Sequence, residues 1–478
     1  MTHDVVIVGA GVVGTAIARE LSRFELNCTL VEAAPDVGAR TSKANTALLH
    51  TGFDATPGTL EARLVPRGRE LLTEYAARVG IPLERTGALL VAWTEEQREA
   101  FPAIVEKAHA NGYDPIRELS TEELYEREPH LGPGAAGALE VPGEGIVCPF
   151  TTPLAYATEA VLNGCGLRRD APVTRIERLD GGFRLEAGGE ELITRYVVNA
   201  AGQHADDLHR LVGYDDLTVR PRRGELIVFD KLARSLLRYI ILAVPTGSTK
   251  GVLVAPTVFG NVLLGPTAED VENKEDTSST AEGLAYLRSE GSRIVPGLLG
   301  HEVTAVYVGL RTATDQTDYR ISVDDRYACV AGIRSTGLTA SMAIAEHVRD
   351  GLAADGLELR PGDGPRSVRM PNIGETEARP FEEPHRIAED ADYGRMVCFC
   401  ERVTRGEIRD ALTATVPAID LDGLRRRTRV LMGRCQGFFW ERQEFCEALS
   451  IIDFEVSRNV VSVPLCRNGF GPCRVVPQ

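Results

Sequence analysis

Val5-Val6-Ile7-Val8-Gly9-Ala10-Gly11-Val12-Val13-Gly14 opens the chain with an apolar run that passes directly into GxGxxG and then into an amphipathic stretch reaching Phe24. The order is strand, tight turn, helix. Gly9 permits the turn, Gly11 lets backbone approach a pyrophosphate, and Gly14 lets helix pack on strand, with the helix N-terminus facing the phosphates. A second apolar run, Cys28 to Val31, ends at Glu32. An acid about twenty residues past the glycines accepts from ribose hydroxyls and disfavours a 2′-phosphate. GxGxxG alone is a weak sign, but strand, helix and acid in register favour a dinucleotide site over a glycine-rich structural turn.

The residues after Glu32 bear on which dinucleotide. Thr41-Ser42-Lys43-Ala44-Asn45-Thr46-Ala47-Leu48-Leu49-His50-Thr51-Gly52, with Pro57-Gly58-Thr59-Leu60 beyond, resembles the flavin-facing segment of the D-amino-acid oxidase superfamily. Within it the likeness is to the anaerobic-type glycerol-3-phosphate dehydrogenase large subunit and to L-2-hydroxyglutarate oxidase. Val197-Val198-Asn199-Ala200-Ala201-Gly202 resembles the family's second FAD-contacting strand and turn, and Gly332-Ile333-Arg334-Ser335-Thr336-Gly337-Leu338-Thr339 its closing loop. The resemblance spans about residues 3–439. It implies FAD, held by Gly9, Gly11, Val12, Gly14, Glu32, Ser42, Lys43, Asn45 and Thr46, then by Val173, Ala201, Gly202, Gly332, Arg334, Gly337, Leu338 and Thr339. It also implies that the closing loop and the helix start behind it stabilise a reduced-flavin anion through N–H groups and positive charge.

Near the other end, Cys398-Phe399-Cys400 is followed after thirty-four intervening residues by Cys435 in Met432-Gly433-Arg434-Cys435-Gln436-Gly437. This looks like most of an iron–sulfur site. Thr404-Arg405-Gly406-Glu407 is a capping box opening a helix through Leu412, and Asp422 is expected to cap another through Leu431. The pattern resembles the bacterioferritin-associated-ferredoxin-like [2Fe–2S] domain, which needs four thiolates. Relatives place the fourth just after Cys-Gln-Gly, where this chain has Phe438-Phe439-Trp440, so Cys446 is the nearest substitute and the expected ligands are Cys398, Cys400, Cys435 and Cys446. Thiolates alone leave zinc, or an empty vestigial site, as alternatives. From Trp440 onward, including Cys466 and Cys473, the chain departs from the family, as a lineage-specific extension or a frame-shifted end.

With 478 residues and 43% hydrophobic content, the chain has material for about three domains. A net charge of −16 argues against nucleic acid, and no run of eighteen apolar residues is present to span a bilayer, leaving peripheral membrane contact at most. The N-terminus enters a strand with no signal peptide, so a cytoplasmic protein with reduced cysteines is expected. Cys28, Cys148, Cys165 and Cys329 read as inert core residues. The expected fold is α/β, α+β overall. Its Rossmann-like FAD domain is discontinuous (1–80, 145–215, 320–355) and interrupted by a mainly antiparallel β substrate domain (81–144, 216–319). A Pro- and acid-rich linker (356–393), a small helical iron–sulfur domain (394–440) and an atypical tail (441–478) follow. Residues 251–256 and 261–266 read as two paired strands around Phe259-Gly260.

Oxidising a C–H bond beside oxygen or nitrogen requires a base and an anion clamp. His50 is the base candidate, since the family places this His beside the flavin and imidazole titrates near working pH; a His hydrogen-bonded within the FAD fold, or one bonded covalently to flavin, are the other readings. Arg311 in Val308-Gly309-Leu310-Arg311 resembles the family's substrate clamp, and guanidinium suits carboxylate and phosphate alike. Arg222, Arg223 and Lys250 are weaker candidates to extend it. Arg425-Arg426-Arg427 reads as a solvated helix face or a counter-charge to an anionic cluster rather than a partner dock. Together these imply an FAD-dependent sn-glycerol-3-phosphate dehydrogenase acting on a small anionic substrate, with electrons leaving through the cluster to a partner subunit or quinone. The alternatives are L-2-hydroxy-acid oxidation, amine or amino-acid oxidation, and a non-catalytic FAD-binding electron-transfer or assembly subunit.

Overall fold

The structure is a computed structural model that describes residues 2–245 and 251–437. Lys250, Trp440, Cys446, Cys466 and Cys473 lie outside the described residues.

The opening apolar run is buried because it lies mid-sheet, covered on both faces as parallel strands are. Strand Thr2–Val8 pairs in parallel with Cys28–Val31 on one side and Glu190–Asn199 on the other. Gly166–Arg168 extends the parallel set beyond 28–31, and Tyr327–Ala331 joins it beside residues 197–199. Val173–Leu179 and Gly182–Ala187 fold back on the long 190–199 strand as an antiparallel meander. Helices Val12–Leu21, Gly337–Ala354, Leu60–Val79 and Thr151–Leu162 pack together over this sheet, so the GxGxxG turn sits at their common edge. The glycines there are enforced: a Cβ on Gly14 would stand 1.9 Å from the Gly9 carbonyl oxygen, and one on Gly9, at φ +104°, 2.4 Å from that of Ala200.

A second sheet carries the substrate side. Its pairings are antiparallel except that Ile240–Ala243 runs parallel to Ala88–Ala92. Leu253–Pro256 and Val262–Gly265 form the hairpin expected around Phe259-Gly260. Two long strands, Val219–Phe229 and Val303–Thr314, run side by side from Val219↔Thr314 to Phe229↔Val303, and bring Arg222 opposite Arg311. A small third sheet joins Leu48–Leu49, Gly145–Val147 and Leu83–Glu84.

In the C-terminal unit, Thr404 and Glu407 form the expected capping box at the start of helix Arg405–Thr413. The next helix differs from expectation. It spans Leu421–Thr428, its cap is Asp420, whose carboxylate accepts from Gly423 N–H at 2.5 Å, and it stops at Arg429 with φ 70° rather than running to Leu431. Asp422 instead faces sideways, paired with Lys43 (2.5 Å) and Arg426 (2.5 Å). The linker is also more ordered than its composition implies: Pro384–Glu389 is a helix opened by its proline, and the Arg379 side chain is buried against Glu407 at 2.7 Å.

The arginine run is where expectation and structure part most clearly. Arg426 and Arg427 are buried, not solvated, because both grip Asp36, a fully buried acid in the loop that follows Glu32. The contacts are 2.5 Å from Arg426 and 2.6 and 2.8 Å from Arg427, with Arg169 at 3.6 Å. A buried carboxylate requires such partners. Burial pushes the Asp36 pKa up, but the hydrogen bonds and charges of Arg427 and Arg426 outweigh it and hold the group below the usual carboxylate range. On the other flank, Arg434 reaches Asp230 (3.0 Å), Gln436 donates to the Thr304 carbonyl (2.8 Å), and Arg429 lies 4.0 Å over the Phe259 ring. The C-terminal unit is therefore fastened to both larger sheets. Among the described residues no helix is long and apolar enough to cross a membrane.

Candidate active site and cofactor sites

At the dinucleotide end, Glu32 accepts from Ala10 N–H at 2.6 Å and Ala34 N–H at 2.8 Å. Burial raises its pKa in spite of these bonds, so its carboxylate gains from further donors such as a ribose diol. The helix starting at Val12 has Gly11 as its cap, no side-chain cap bond and no acid in its first turn, and Val12 N–H is met by Ser42 Oγ at 2.9 Å. Helix Gly337–Ala354 likewise starts without a side-chain cap or first-turn acid, since the Thr336 hydroxyl donates to Glu61 (2.7 Å) and bonds Tyr319. Two helix starts with open N–H groups suit a pyrophosphate and an anionic ring edge. These residues fit FAD.

Not every expected contact points that way. Lys43 is engaged by Asp422, and Asn45 shapes its own loop, donating to the Ser42 carbonyl (2.8 Å) and accepting from Ala47 N–H (2.7 Å). Thr46 is half-buried beside it, and Val173 starts the meander. Ala201 N–H reaches Asn199 Oδ1 at 3.2 Å, and Gly202 and Gly332 take left-handed φ values of 58° and 71°. Arg334 bonds the Thr317 carbonyl, Leu338 is buried, and Thr339 Oγ accepts from His50 N–H at 3.0 Å. Gly14→Val is expected to weaken FAD binding by about 100-fold or more, because the clash is with backbone that cannot yield; flavin absorbance per purified protein is the check.

His50 follows the two-residue strand 48–49, whose antiparallel register with 145–147, continued by one residue, sets it opposite Glu144. Its Nδ1 lies 3.1 Å from Glu144 Oε2. The sequence reading missed Glu144: no motif marks it, and it stands 94 positions away in the chain.

Arg311 is bracketed by the two FAD-facing loops. The Leu310 carbonyl accepts from Thr41 (3.0 Å) and from Gln203 (2.6 Å), while Thr312 Oγ donates to the Ile333 carbonyl (2.8 Å). Its side chain is half-buried, donates to the Thr267 carbonyl at 3.2 Å, and among the described residues pairs with no carboxylate. Desolvation, assisted by the charge of Arg222, lowers its pKa to about 10, so at neutral pH it remains a cation. Arg222 and Arg223 are engaged elsewhere, by Asp270 (2.6 Å) and by Glu269 (3.3 Å) and Asp276 (3.6 Å). Beside Arg311, Gln203 Oε1 is buried without a partner, another group that sequence reading passed over.

The C-terminal thiols gather around a folded-back loop. A Cβ on Gly433 would lie 2.6 Å from Cys400 Cβ, and Arg402, Arg429, Leu431 and Gln436 all have positive φ, which folds the chain back on itself there. Burial raises the Cys398 thiol pKa against hydrogen bonds from the Leu431 and Glu401 N–H groups. Burial also raises that of Cys400, whose sulfur bonds Cys435. N–H groups directed at sulfur suit an iron–sulfur centre. Among the described residues no three His, Cys, Asp or Glu side chains surround one ion position, and the expected fourth ligand, Cys446, lies outside them. Cys28, Cys148, Cys165 and Cys329 are buried in the core.

Residues 4–350 match the family described as FAD dependent oxidoreductase. The chain belongs to that family. Residues 396–437 match the BFD-like [2Fe-2S] binding domain. This FAD dependent oxidoreductase is 36% identical over 441 residues to a glycerol 3-phosphate dehydrogenase of Caloramator mitchellensis, covering 91% of this chain and 92% of that one. It is 34% identical over 355 residues to a glycerol 3-phosphate oxidase of Mycoplasma pneumoniae, covering 72% and 92%. The solved structure of the L-alpha-glycerophosphate oxidase from Mycoplasma pneumoniae with FAD bound superimposes with a TM-score of 0.74 at 31% identity, over 78% of this chain and all of that one. The cofactors of this FAD dependent oxidoreductase are FAD and a [2Fe–2S] cluster. Its mixed and antiparallel sheets carry the fold class expected from sequence.

Proposed function

We propose that the chain oxidises sn-glycerol-3-phosphate to dihydroxyacetone phosphate and passes the electrons through its iron–sulfur domain to an external acceptor. The observation that carries this reading is Arg311, a half-buried cation between the two FAD-facing loops with no carboxylate partner among the described residues. Such a group is costly to the fold and is compensated by a bound anion. The names of the relatives at 36% and 34% identity favour a phosphate over a carboxylate as that anion.

The chain's own part follows. Arg311 holds the anionic end and so sets which carbon faces the flavin. His50, with Nδ1 turned to Glu144, takes the hydroxyl proton on its other ring nitrogen. FAD, when bound, would supply the two-electron acceptor for the C2 hydride, and the iron–sulfur group a one-electron path outward. Cys398, Cys400, Cys435 and, outside the described residues, Cys446 are the proposed ligands.

The acceptor is read from coverage. The Mycoplasma oxidase aligns over 72% of this chain, whereas the Caloramator dehydrogenase and an anaerobic glycerol-3-phosphate dehydrogenase subunit A1 of Haloferax volcanii align over 91%. The added length is of the size needed to take in the iron–sulfur match, which favours a partner subunit or quinone over oxygen, in a cytoplasmic protein with at most peripheral membrane contact. Anaerobic stopped-flow reduction with sn-glycerol-3-phosphate beside L-2-hydroxyglutarate tests the proposal. Rapid flavin bleaching by the phosphate, followed by loss of the iron–sulfur bands, is expected; bleaching by the hydroxy acid alone overturns the substrate, and bleaching by neither overturns the clamp.

A further inference from the structure

We infer that Glu144 is a positioning residue for the oxidation step: its carboxylate fixes the His50 ring with Nδ1 protonated, presents the other nitrogen as the base, and sets the pH range over which that base works. The inference rests on the reading of His50 as the base.

Glu144 is held at a point where the backbone has no freedom. It lies in the turn Pro142-Gly143-Glu144-Gly145. The Gly143 carbonyl accepts from Arg69 Nε (3.1 Å) and Nη2 (2.8 Å), the Gly143 N–H donates to the Tyr113 hydroxyl (2.8 Å), and the Glu144 carbonyl accepts from Gly87 N–H (2.9 Å). Neither neighbour admits a side chain: a Cβ on Gly143 would be 2.7 Å from Thr51 Cγ2, and one on Gly145 2.7 Å from the Glu84 carbonyl oxygen. The carboxylate thus has one place to go. Oε1 accepts from both the N–H (2.7 Å) and the hydroxyl (2.8 Å) of Thr51, and Oε2 faces His50 Nδ1 at 3.1 Å.

The chemistry of this arrangement is asymmetric. Glu144 is 1% exposed, and among the described residues its one ion-pair partner is His50, with no lysine or arginine within ion-pair distance. A buried carboxylate kept only to anchor Thr51 is an expensive anchor, since an amide oxygen accepts the same two bonds without a charge. What the charge adds is directed at the ring: it selects the Nδ1–H tautomer and stabilises the imidazolium formed when the hydroxyl proton arrives, as a carboxylate behind a catalytic histidine does. The other ionisable groups around the turn are Arg69 and Tyr113, with Glu84 on the neighbouring strand and Glu140 acting on Tyr113. Burial raises the Tyr113 pKa above the usual phenol value, so it stays neutral around neutral pH.

The test is the pH dependence of anaerobic flavin reduction by sn-glycerol-3-phosphate in wild type, Glu144→Gln and His50→Asn, with flavin content and melting temperature measured alongside. Glu144→Gln is expected to slow reduction by about 10- to 100-fold at saturating substrate with KM little changed. The acid limb of the profile should move down by about one unit, because the imidazolium has lost its counter-charge. Glu144→Asp should bring that limb back toward wild type. A slow variant whose limb has not moved reduces Glu144 to a structural role and overturns the inference. His50→Asn separates this from the reading beneath it. If it reduces flavin at the wild-type rate, the base assignment falls; if it collapses while the Glu144→Gln profile stays wild type, only the present inference falls. Should Glu144→Gln fail to fold, Thr51→Val serves, since removing one donor strengthens the pull on the ring and moves the limb upward; an unmoved limb there overturns the inference equally.

Discussion

Arg311→Met is expected to lower kcat/KM for sn-glycerol-3-phosphate by about 1,000-fold, equivalent to about 4 kcal/mol, while the melting temperature holds or rises. The two readouts move oppositely for one reason. The guanidinium is half-buried with a single carbonyl contact at 3.2 Å, so it is a partly desolvated cation without a counter-ion among the described residues. An apolar side chain of similar length relieves that penalty and removes a guanidinium able to meet two anionic oxygens at once. Arg311→Lys should fall between, keeping the charge and losing the fork. Because burial lowers the pKa only to about 10, charge loss from this group enters as pH rises toward that value and leaves neutral pH untouched. Steady-state kinetics and a thermal melt on the same preparations decide the matter; a variant that loses stability and activity in proportion would mark Arg311 as structural.

Asp36→Ala is expected to weaken the docking of residues 396–437 by about 3–5 kcal/mol, the range for removing one partner from a buried ion pair. Two buried arginines would lose their shared anion, and neither Asp422 nor the Val416 carbonyl that Arg427 also meets can replace it. Hydrogen exchange across 396–437 and limited proteolysis near 356–395 should both accelerate, with FAD still bound. The pH dependence has a definite sign. Asp36 has a native pKa below its unfolded value, so its contribution is complete above about pH 4 and is lost as pH falls through the native pKa. Unchanged exchange in the variant would mean that Arg434, Gln436 and Arg429 hold the domain without it.

The parts of the structure that could be read from sequence are those whose causes are local. Gly9 and Gly14, the hairpin at Phe259-Gly260 and the Thr404/Glu407 capping box each depend on residues within a turn or two, and each is present. Arg426 and Arg427 were misjudged because their partner lies about 390 positions upstream. In isolation three arginines on a short helix look like a wet face; only the docked neighbour shows that two of them are dry. Asp422 reads as a cap because it is an acid near a helix start, yet Asp420 reaches the N–H group and Asp422 is drawn off by Lys43. Glu144 was invisible for the same reason as Asp36: nothing in Pro142-Gly143-Glu144-Gly145 announces which side chain will stand opposite. Gln203 follows directly on a recognised turn, but an unpaired carbonyl oxygen is a property of packing and no pattern of letters carries it.

The Lys43–Asp422–Arg426–Asp36 chain of ion pairs ties the loop around the dinucleotide end to the helix that precedes Cys435. Electron carriers whose redox groups sit on tethered, swinging domains must diffuse into contact, and their internal transfer slows as the solvent thickens. Here the two cofactor-bearing units share dry charge pairs on one flank and lean on the substrate sheet through Arg434 and Gln436 on the other. With the units held on both flanks, the proposed step from flavin to cluster is expected to keep its rate when glycerol or sucrose thickens the buffer.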